Sequence, residues 1–313
     1  MNSFVHVIEK IINNIESVII GKREVIELCV ISLICNGHVL IEDVPGVGKT
    51  SLASSIARSI DCTFKRIQFT PDILPSDITG FSMYNQKTNE FEYRPGLIMS
   101  NIILADEINR TSPKSQASLL EVMEENQVTV DGVTYRLPRP FMVLATQNPV
   151  EYLGTFPLPE AQLDRFFMKV SIGYPSQPDE SQILSRYKND NPLDSLSPVA
   201  TSADIIDIQE KVKEIYVDKS LNDYIVKLVA QTRNHPDVVL GSSPRGSISL
   251  LRASQAWALY NGREYVIPDD IQKMAIPVLN HRLILKQEAK LKKINPADII
   301  TGIIDKTAVP VVK

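Results

Sequence analysis

Residues 43–50 read Asp-Val-Pro-Gly-Val-Gly-Lys-Thr, between an apolar run, His38 to Ile41, and a small-residue segment, Ser51 to Ser59. An apolar strand, a glycine-bearing turn and a helix opening with Lys-Thr make a cradle for nucleotide phosphates. Successive backbone N–H groups and the positive end of the helix dipole then face one anion. Val44, Pro45, Gly46, Val47, Gly48 and Ser51 form the wall of that cradle. Lys49 would reach the β- and γ-phosphates, and the Thr50 hydroxyl would ligate Mg²⁺. Asp43 stands where the pattern usually has its first Gly. That Gly is a turn residue, and Asp tolerates unusual backbone angles better than most residues.

Four further segments carry chemistry. Ile102-Ile-Leu-Ala-Asp-Glu107 is an apolar strand ending in two carboxylates, at the edge where open α/β sheets bind ligands. Asp106 would hold Mg²⁺ through water, and Glu107 would orient and deprotonate an attacking water. An acidic pair opening a turn is the plainer alternative; a phosphate loop at this separation favours the functional reading. Val143-Leu-Ala-Thr-Gln-Asn-Pro149 brings Gln147 and Asn148 to the same edge, where Asn148 could bond the γ-phosphate or the water. The competing reading is an ordinary Asn-Pro turn. Arg165, in Leu158-Pro-Glu-Ala-Gln-Leu-Asp-Arg-Phe-Phe167, lies where it cannot easily reach its own phosphates but could enter a neighbour's site. A surface pair with Asp164 or Glu160 would explain it equally. In Gly241-Ser-Ser-Pro-Arg-Gly246, Ser243 can cap a helix with Pro244 at its first position. Arg245 then sits at a helix start, where the dipole disfavours it unless an anion is near.

These residues need an α/β frame. Short Ile-, Val-, Leu- and Phe-rich strands are expected at 38–42, 64–69, 101–105, 141–146 and 166–171, several without polar alternation. Strands of a parallel sheet covered on both faces read this way. Helical spacing of Phe4, Ile8, Ile11, Ile12 and Ile15 predicts a first helix, and Arg23 to Cys35 a second, stopping at Asn36-Gly37. Asp131-Gly132 signals a hairpin over 127–136, and the Pro- and Gly-bearing stretch 71–100 an inserted loop or small β element. After Tyr174-Pro175 the strand pattern ends; 190–203 is a flexible connection. Helices are expected at about 204–216, 219–233, 245–261 and 268–280, and residues after 281 read as a short tail. The division is therefore a nucleotide-binding core, 1–175, and a helical domain, 176–313.

Composition narrows the partners. The 313 residues are 43% hydrophobic and 22% charged, as in ordinary soluble proteins, and the formal charge of −4 argues against a general nucleic-acid surface. Cys29, Cys35 and Cys62 form no Cys-x-x-Cys pair, and His6, His38, His235 and His281 no ligand cluster. Glu9 and Glu16 interrupt any signal-peptide-like region, and Val25 to Cys35 is too short to span a bilayer. A cytoplasmic protein with no membrane insertion is expected.

Together these segments resemble the AAA+ ATPases, and specifically the MoxR family. Arg66-Ile-Gln-Phe-Thr-Pro-Asp-Ile-Leu-Pro-Ser-Asp-Ile-Thr-Gly80, Ala105-Asp-Glu-Ile-Asn-Arg110, Leu119-Leu-Glu-Val-Met-Glu124 and Leu158 to Arg165 look like family signatures. The similarity runs from about Glu16 to the Val-Pro-Val-Val ending. It implies an AAA+ αβα core with strand order 5-1-4-3-2 and a C-terminal helical lid. It also implies an ATP- and Mg²⁺-dependent hexamer with active sites at subunit boundaries. By matching motifs, Lys49 and Thr50 take the phosphate-loop roles, Asp106 and Glu107 the Walker B roles, and Asn148 the first sensor. Arg165 matches the arginine finger and Arg245 the second sensor, in its own subunit or a neighbour's. Ile20 and Gly21 would border the adenine, with Lys22 in place of a Gln often seen there. The family implies chaperone-like work on client proteins, including metal insertion. It also implies a separate partner carrying a von Willebrand factor A-type domain.

Two other functions compete. Related rings with similar hairpins act on DNA or activate transcription, although 127–136 offers only Arg136, with Arg139 just beyond. A nucleotide-gated scaffold with negligible turnover is the other. No Asn-Lys-x-Asp motif suggests a GTPase.

Overall fold

A computed structural model describes residues 2–148, 154–186 and 191–310. Pro149 of the Asn-Pro turn, Asp190 of the 190–203 connection and the end of the Val-Pro-Val-Val sequence lie outside them.

The N-terminal elements are α1 (Asn2–Glu16) and α2 (Arg23–Ile34). Ile8, Ile11, Ile12 and Ile15 line one stripe of α1 and are fully buried, as an amphipathic helix requires. Asn36 stops α2 by taking a left-handed backbone, φ 54°. Then follow β1 (Val39–Glu42), α3 (Lys49–Ser59), β2 (Phe64–Gln68), α4 (Pro75–Thr79), β3 (Gly80–Asn85), β4 (Glu90–Pro95) and β5 (Ile102–Asp106). Beyond them come α5 (Pro113–Glu125), β6 (Gln127–Val130), β7 (Val133–Arg136), β8 (Met142–Gln147), α6 (Glu160–Leu163) and β9 (Met168–Val170).

Five strands form one parallel sheet in the order β2-β5-β8-β1-β9. Numbering only those strands along the chain, this is the expected 5-1-4-3-2 order. Both faces are covered. Val39, Ile41, Ile102, Leu104, Met142 and Leu144 join the core that includes α1 to α3. Leu40, Ile103, Ala105, Val143 and Ala145 join the core under α5. Alternate residues of β1, β5 and β8 thus serve opposite faces, which is why these three central strands show no polar alternation, whereas the edge strand β2 exposes Lys65, Arg66 and Gln68.

The two expected insertions are hairpins. In 71–100, β3 and β4 pair antiparallel after the short α4, with Tyr84 opposite Phe91. In 127–136, β6 and β7 pair around Asp131 and Gly132, both at positive φ (49° and 80°), the geometry of a two-residue hairpin turn.

The rest of the chain is mainly helical: α7 (Gln177–Arg186), α8 (Ser202–Glu214), α9 (Lys219–Arg233), α10 (Pro244–Tyr260), α11 (Pro268–Leu279), α12 (Gln287–Leu291) and α13 (Pro296–Lys306). Two expectations fail here. Strands do not end at Tyr174-Pro175: β10 (Val238–Leu240) pairs antiparallel with β11 (Ile284–Leu285). Strands of three and two residues are too short to leave a period in the sequence. Nor is the segment after His281 a mere tail. Asn295 caps α13 by accepting the Asp298 N–H, and Ile299, Ile300 and Ile303 bury its apolar stripe in the main core. Among the described residues no helix is long and apolar enough to cross a membrane.

Candidate functional site

The phosphate loop joins β1 to α3. Gly46 and Gly48 have φ of 86° and 91°, a region that L side chains avoid, and nothing lies within 4 Å of where a Cβ would sit on either. That open, N–H-lined turn is a cradle a ligand can enter. Lys49 begins α3, and its Nζ donates to the Asp43 carbonyl at 2.9 Å.

Asp43 is buried and has no positive φ, so tolerance of unusual angles does not explain it. Its carboxylate explains it. Oδ2 accepts the N–H groups of Ile172 (2.5 Å) and Gly173 (2.8 Å) and the Ser171 hydroxyl (3.1 Å), while Oδ1 accepts the Val44 N–H. The side chain ties the start of the loop to the segment that leaves β9. Ile20 is buried, and Gly21 (φ 69°) lies where any Cβ would collide with the Asp179 carboxylate at the start of α7. Lys22 bonds the Tyr174 carbonyl at 2.8 Å.

At the same sheet edge β5 delivers its two carboxylates. Asp106 Oδ1 accepts the Thr146 hydroxyl at 2.6 Å, and Oδ2 accepts Arg66 at 2.6 and 3.2 Å. Glu107 has φ 57°, strained for a residue with a Cβ by about 1–3 kcal/mol. Its N–H donates to Thr146 Oγ1 at 2.9 Å, which helps hold that conformation. Gln68 (2.8 Å) and Arg110 (3.0 Å) both reach its Oε2. Asn148, buried, follows β8 directly; Gln147 pairs in register with Glu42 and its carbonyl accepts the Asp43 N–H at 3.1 Å. Asn148 therefore stands beside the start of the phosphate loop.

Sequence reasoning gave no role at the site to Arg66, Gln68 or Thr146. Arg66 and Gln68 share one face of β2 by their two-residue spacing, but only the β2–β5 register, which sets Gln68 opposite Asp106, shows that this face meets the carboxylates.

The two candidate arginines lie elsewhere. Arg165 Nε is 3.3 Å from Glu124 Oε2, and Arg245 pairs with Oε1 of the same residue. Asp164 and Glu160 are not the partners. The groove around this cluster is lined by Asn36, Gly37 and His38, which precede β1. The phosphate loop follows β1, so the length of that strand, about 13 Å, separates the arginines from their own loop.

The residues present fit Mg-ATP. Mg²⁺ commonly needs only one or two protein oxygens besides phosphates and water; the Thr50 hydroxyl and the Asp106 carboxylate would serve, the latter once Arg66 leaves its Oδ2. Among the described residues no three His, Cys, Asp or Glu gather as a metal cage. The cysteines are free, with burial pushing the Cys29 thiol up to about 12 and that of Cys62 up to about 11. His38 is locked in the core: its Nδ1 accepts the Val143 N–H (3.0 Å), so Nε2 carries the proton and donates to the Met123 carbonyl (2.9 Å).

Comparison with known proteins agrees with this geometry. The model of the ATPase family associated with various cellular activities (AAA) matches residues 38–168, and that of the AAA lid domain matches 230–303. YeaC of Bacillus subtilis is 55% identical over 96% of this chain and 94% of its own length. Chaperone MoxR1 of Mycobacterium tuberculosis is 40% identical over 98% of this chain and 83% of its own. A crystal structure from Cytophaga hutchinsonii superposes with a TM-score of 0.92 at 40% identity, covering 99% of this chain and 97% of that one.

Proposed function

The chain belongs to the MoxR family of AAA+ ATPases, and from that premise we propose that it hydrolyses ATP at sites shared between neighbouring copies in a ring. We place it in the cytoplasm as a homohexamer that remodels or matures client proteins. A separate protein with a von Willebrand factor A-type domain is its partner, and neither nucleic acid nor a membrane is its target. Residues 1–175 act as the nucleotide-binding core and 176–313 as the lid.

Gly46 to Ser51 offer backbone N–H groups to the phosphates, Val44 and Pro45 shape the start of the turn, and Lys49 exchanges the Asp43 carbonyl for the β- and γ-phosphates. Thr50 and, through water, Asp106 would hold Mg²⁺, which would neutralise phosphate charge. Asp106 must release Arg66 to do so. Glu107 takes a proton from the attacking water once it leaves Gln68 and Arg110, and Asn148 orients that water or the γ-phosphate. Ile20 and Gly21 border the base.

The observation that carries a shared site is the placement of the arginines. Arg165 and Arg245 lie on an open groove beside the residues that enter β1, the opposite end of that strand from their own phosphate loop. Both therefore act in trans, stabilising charge on a neighbour's transferred phosphoryl group. Turnover of Mg-ATP against protein concentration, read beside light scattering with and without nucleotide, tests this. Turnover per subunit rising steeply with assembly supports a shared site. Flat turnover from a monomer removes both arginines from the mechanism, and no turnover in any assembly state favours a nucleotide-gated scaffold.

A further inference from the structure

Asp164 precedes the candidate finger, and its carboxylate faces away from it, into the lid. Oδ1 accepts Arg282 Nε at 2.9 Å, and Oδ2 accepts the Ser243 hydroxyl at 2.7 Å. The Arg282 side chain is 2% exposed and that of Asp164 17%, so this pair lies inside the protein rather than on its surface. Arg282 grips more of the same turn: it donates to the Phe166 carbonyl (2.6 Å), the Asp164 carbonyl (3.2 Å) and the Phe167 carbonyl (3.3 Å). His281 Nε2 adds a contact to the Phe166 carbonyl at 3.0 Å. The turn bearing Arg165 is thus held largely by side chains from the opposite end of the chain.

Ser243 extends this clasp to the second arginine. Its hydroxyl donates to Asp164 and also accepts the Arg245 N–H at 3.0 Å, capping α10. One partly buried carboxylate therefore fixes the residue after it, Arg165, and through a helix cap fixes Arg245.

We infer that Asp164, held by Arg282 and Ser243, is a positioning residue that presents Arg165 and Arg245 to the neighbouring subunit as one unit moving with the lid. A lid shift in one subunit then changes the phosphate contacts in the next. This rests on the proposed trans action of the two arginines. A surface ion pair could not transmit such a shift, because exposed long side chains re-pair readily. Here Arg282 is buried and donates to several backbone carbonyls as well as to Asp164, which holds its side chain against re-pairing in solvent.

The test uses full-length chains, singly and mixed, with ATP affinity, thermal unfolding and turnover measured for each. Asp164→Asn is expected to lower turnover at least tenfold while ATP affinity stays within twofold. Mixed with Glu107→Gln subunits, whose own sites are dead but whose arginines are intact, it should regain turnover above either variant alone. Recovery is the diagnostic: an Asp164→Asn subunit that is merely misfolded cannot be rescued by a neighbour's arginines. Ser243→Ala keeps the Arg282 pair and covers the case in which Asp164→Asn does not fold; it should lose about threefold, again rescued by mixing. Wild-type turnover in both variants, or losses that mixing does not rescue, would overturn the inference. The control is Arg165→Ala mixed with Glu107→Gln. If that pair recovers and the Asp164 and Ser243 variants do not, only the positioning role falls. If that pair fails, the trans site falls and the positioning role with it.

Discussion

Arg165 and Arg245, one beside the parallel sheet and one at the start of a lid helix, share a single counter-ion: both ion-pair with the carboxylate of Glu124 at the end of α5. If the two arginines act in trans as proposed, Glu124 competes in an isolated subunit with a neighbour's phosphates for both of them. Glu124→Gln should therefore lower the protein concentration needed for ATP-promoted assembly by about two- to fivefold, the scale of exposed ion pairs. Light scattering against concentration reads this directly; an unchanged or raised midpoint would mean that Glu124 supports the arginines instead of competing with the phosphates.

Arg66 occupies Asp106 in much the same way. Replacing it by Ala removes a competitor for the carboxylate that would hold Mg²⁺. The Mg²⁺ concentration giving half-maximal binding of a fluorescent ATP analogue is expected to fall about three- to tenfold, since one charge-assisted pair is worth roughly 1 kcal/mol or somewhat more. A rise would show that Arg66 contacts the nucleotide itself.

Glu107→Gln keeps the shape of the side chain and its contacts with Gln68 but cannot take a proton. Turnover should fall about 10²–10⁴-fold, the usual contribution of a general base. ATP binding, measured by calorimetry, should persist. Turnover near the wild-type rate would assign the base elsewhere.

Two buried histidines make the protein acid-sensitive above the carboxylate range. Burial pushes His38 down to about 4, and burial with the adjacent Arg282 charge pushes His281 well below its ordinary value. For His38 the unfolded chain binds its proton near pH 6.5 and the folded chain only near 4, so its contribution is full above 6.5 and is lost as pH falls toward 4; His281 acts in the same direction. His38 costs about 1.4 kcal/mol per pH unit across that window. Urea midpoints at about pH 7.5 and about pH 5 should differ clearly, the acid one lower. Equal midpoints would mean that both rings titrate normally.

Much of this protein is determined by sequence alone. The phosphate loop, the carboxylate pair after an apolar strand, the Asp131-Gly132 hairpin and the Asn36 helix stop are local patterns, set by the backbone needs of a few adjacent residues. So is the centre of the parallel sheet, because strands buried on both faces are apolar along most of their length, as β1, β5 and β8 are before their polar last residues. Tertiary structure alone decided the rest. The roles of Asp43, Arg66, Thr146 and Gln68 depend on strand register, which brings residues distant in sequence within hydrogen-bond reach. β10, β11 and the packed C-terminal helix α13 escaped because two or three residues carry no period and a helix after a presumed tail has no visible partner. Arg165 read as either a surface pair or a finger, since sequence cannot say which edge of a sheet a turn occupies. The fold pairs it with Glu124 and wraps Arg282 around its turn, contacts between residues distant in sequence that only a closed three-dimensional core could bring together.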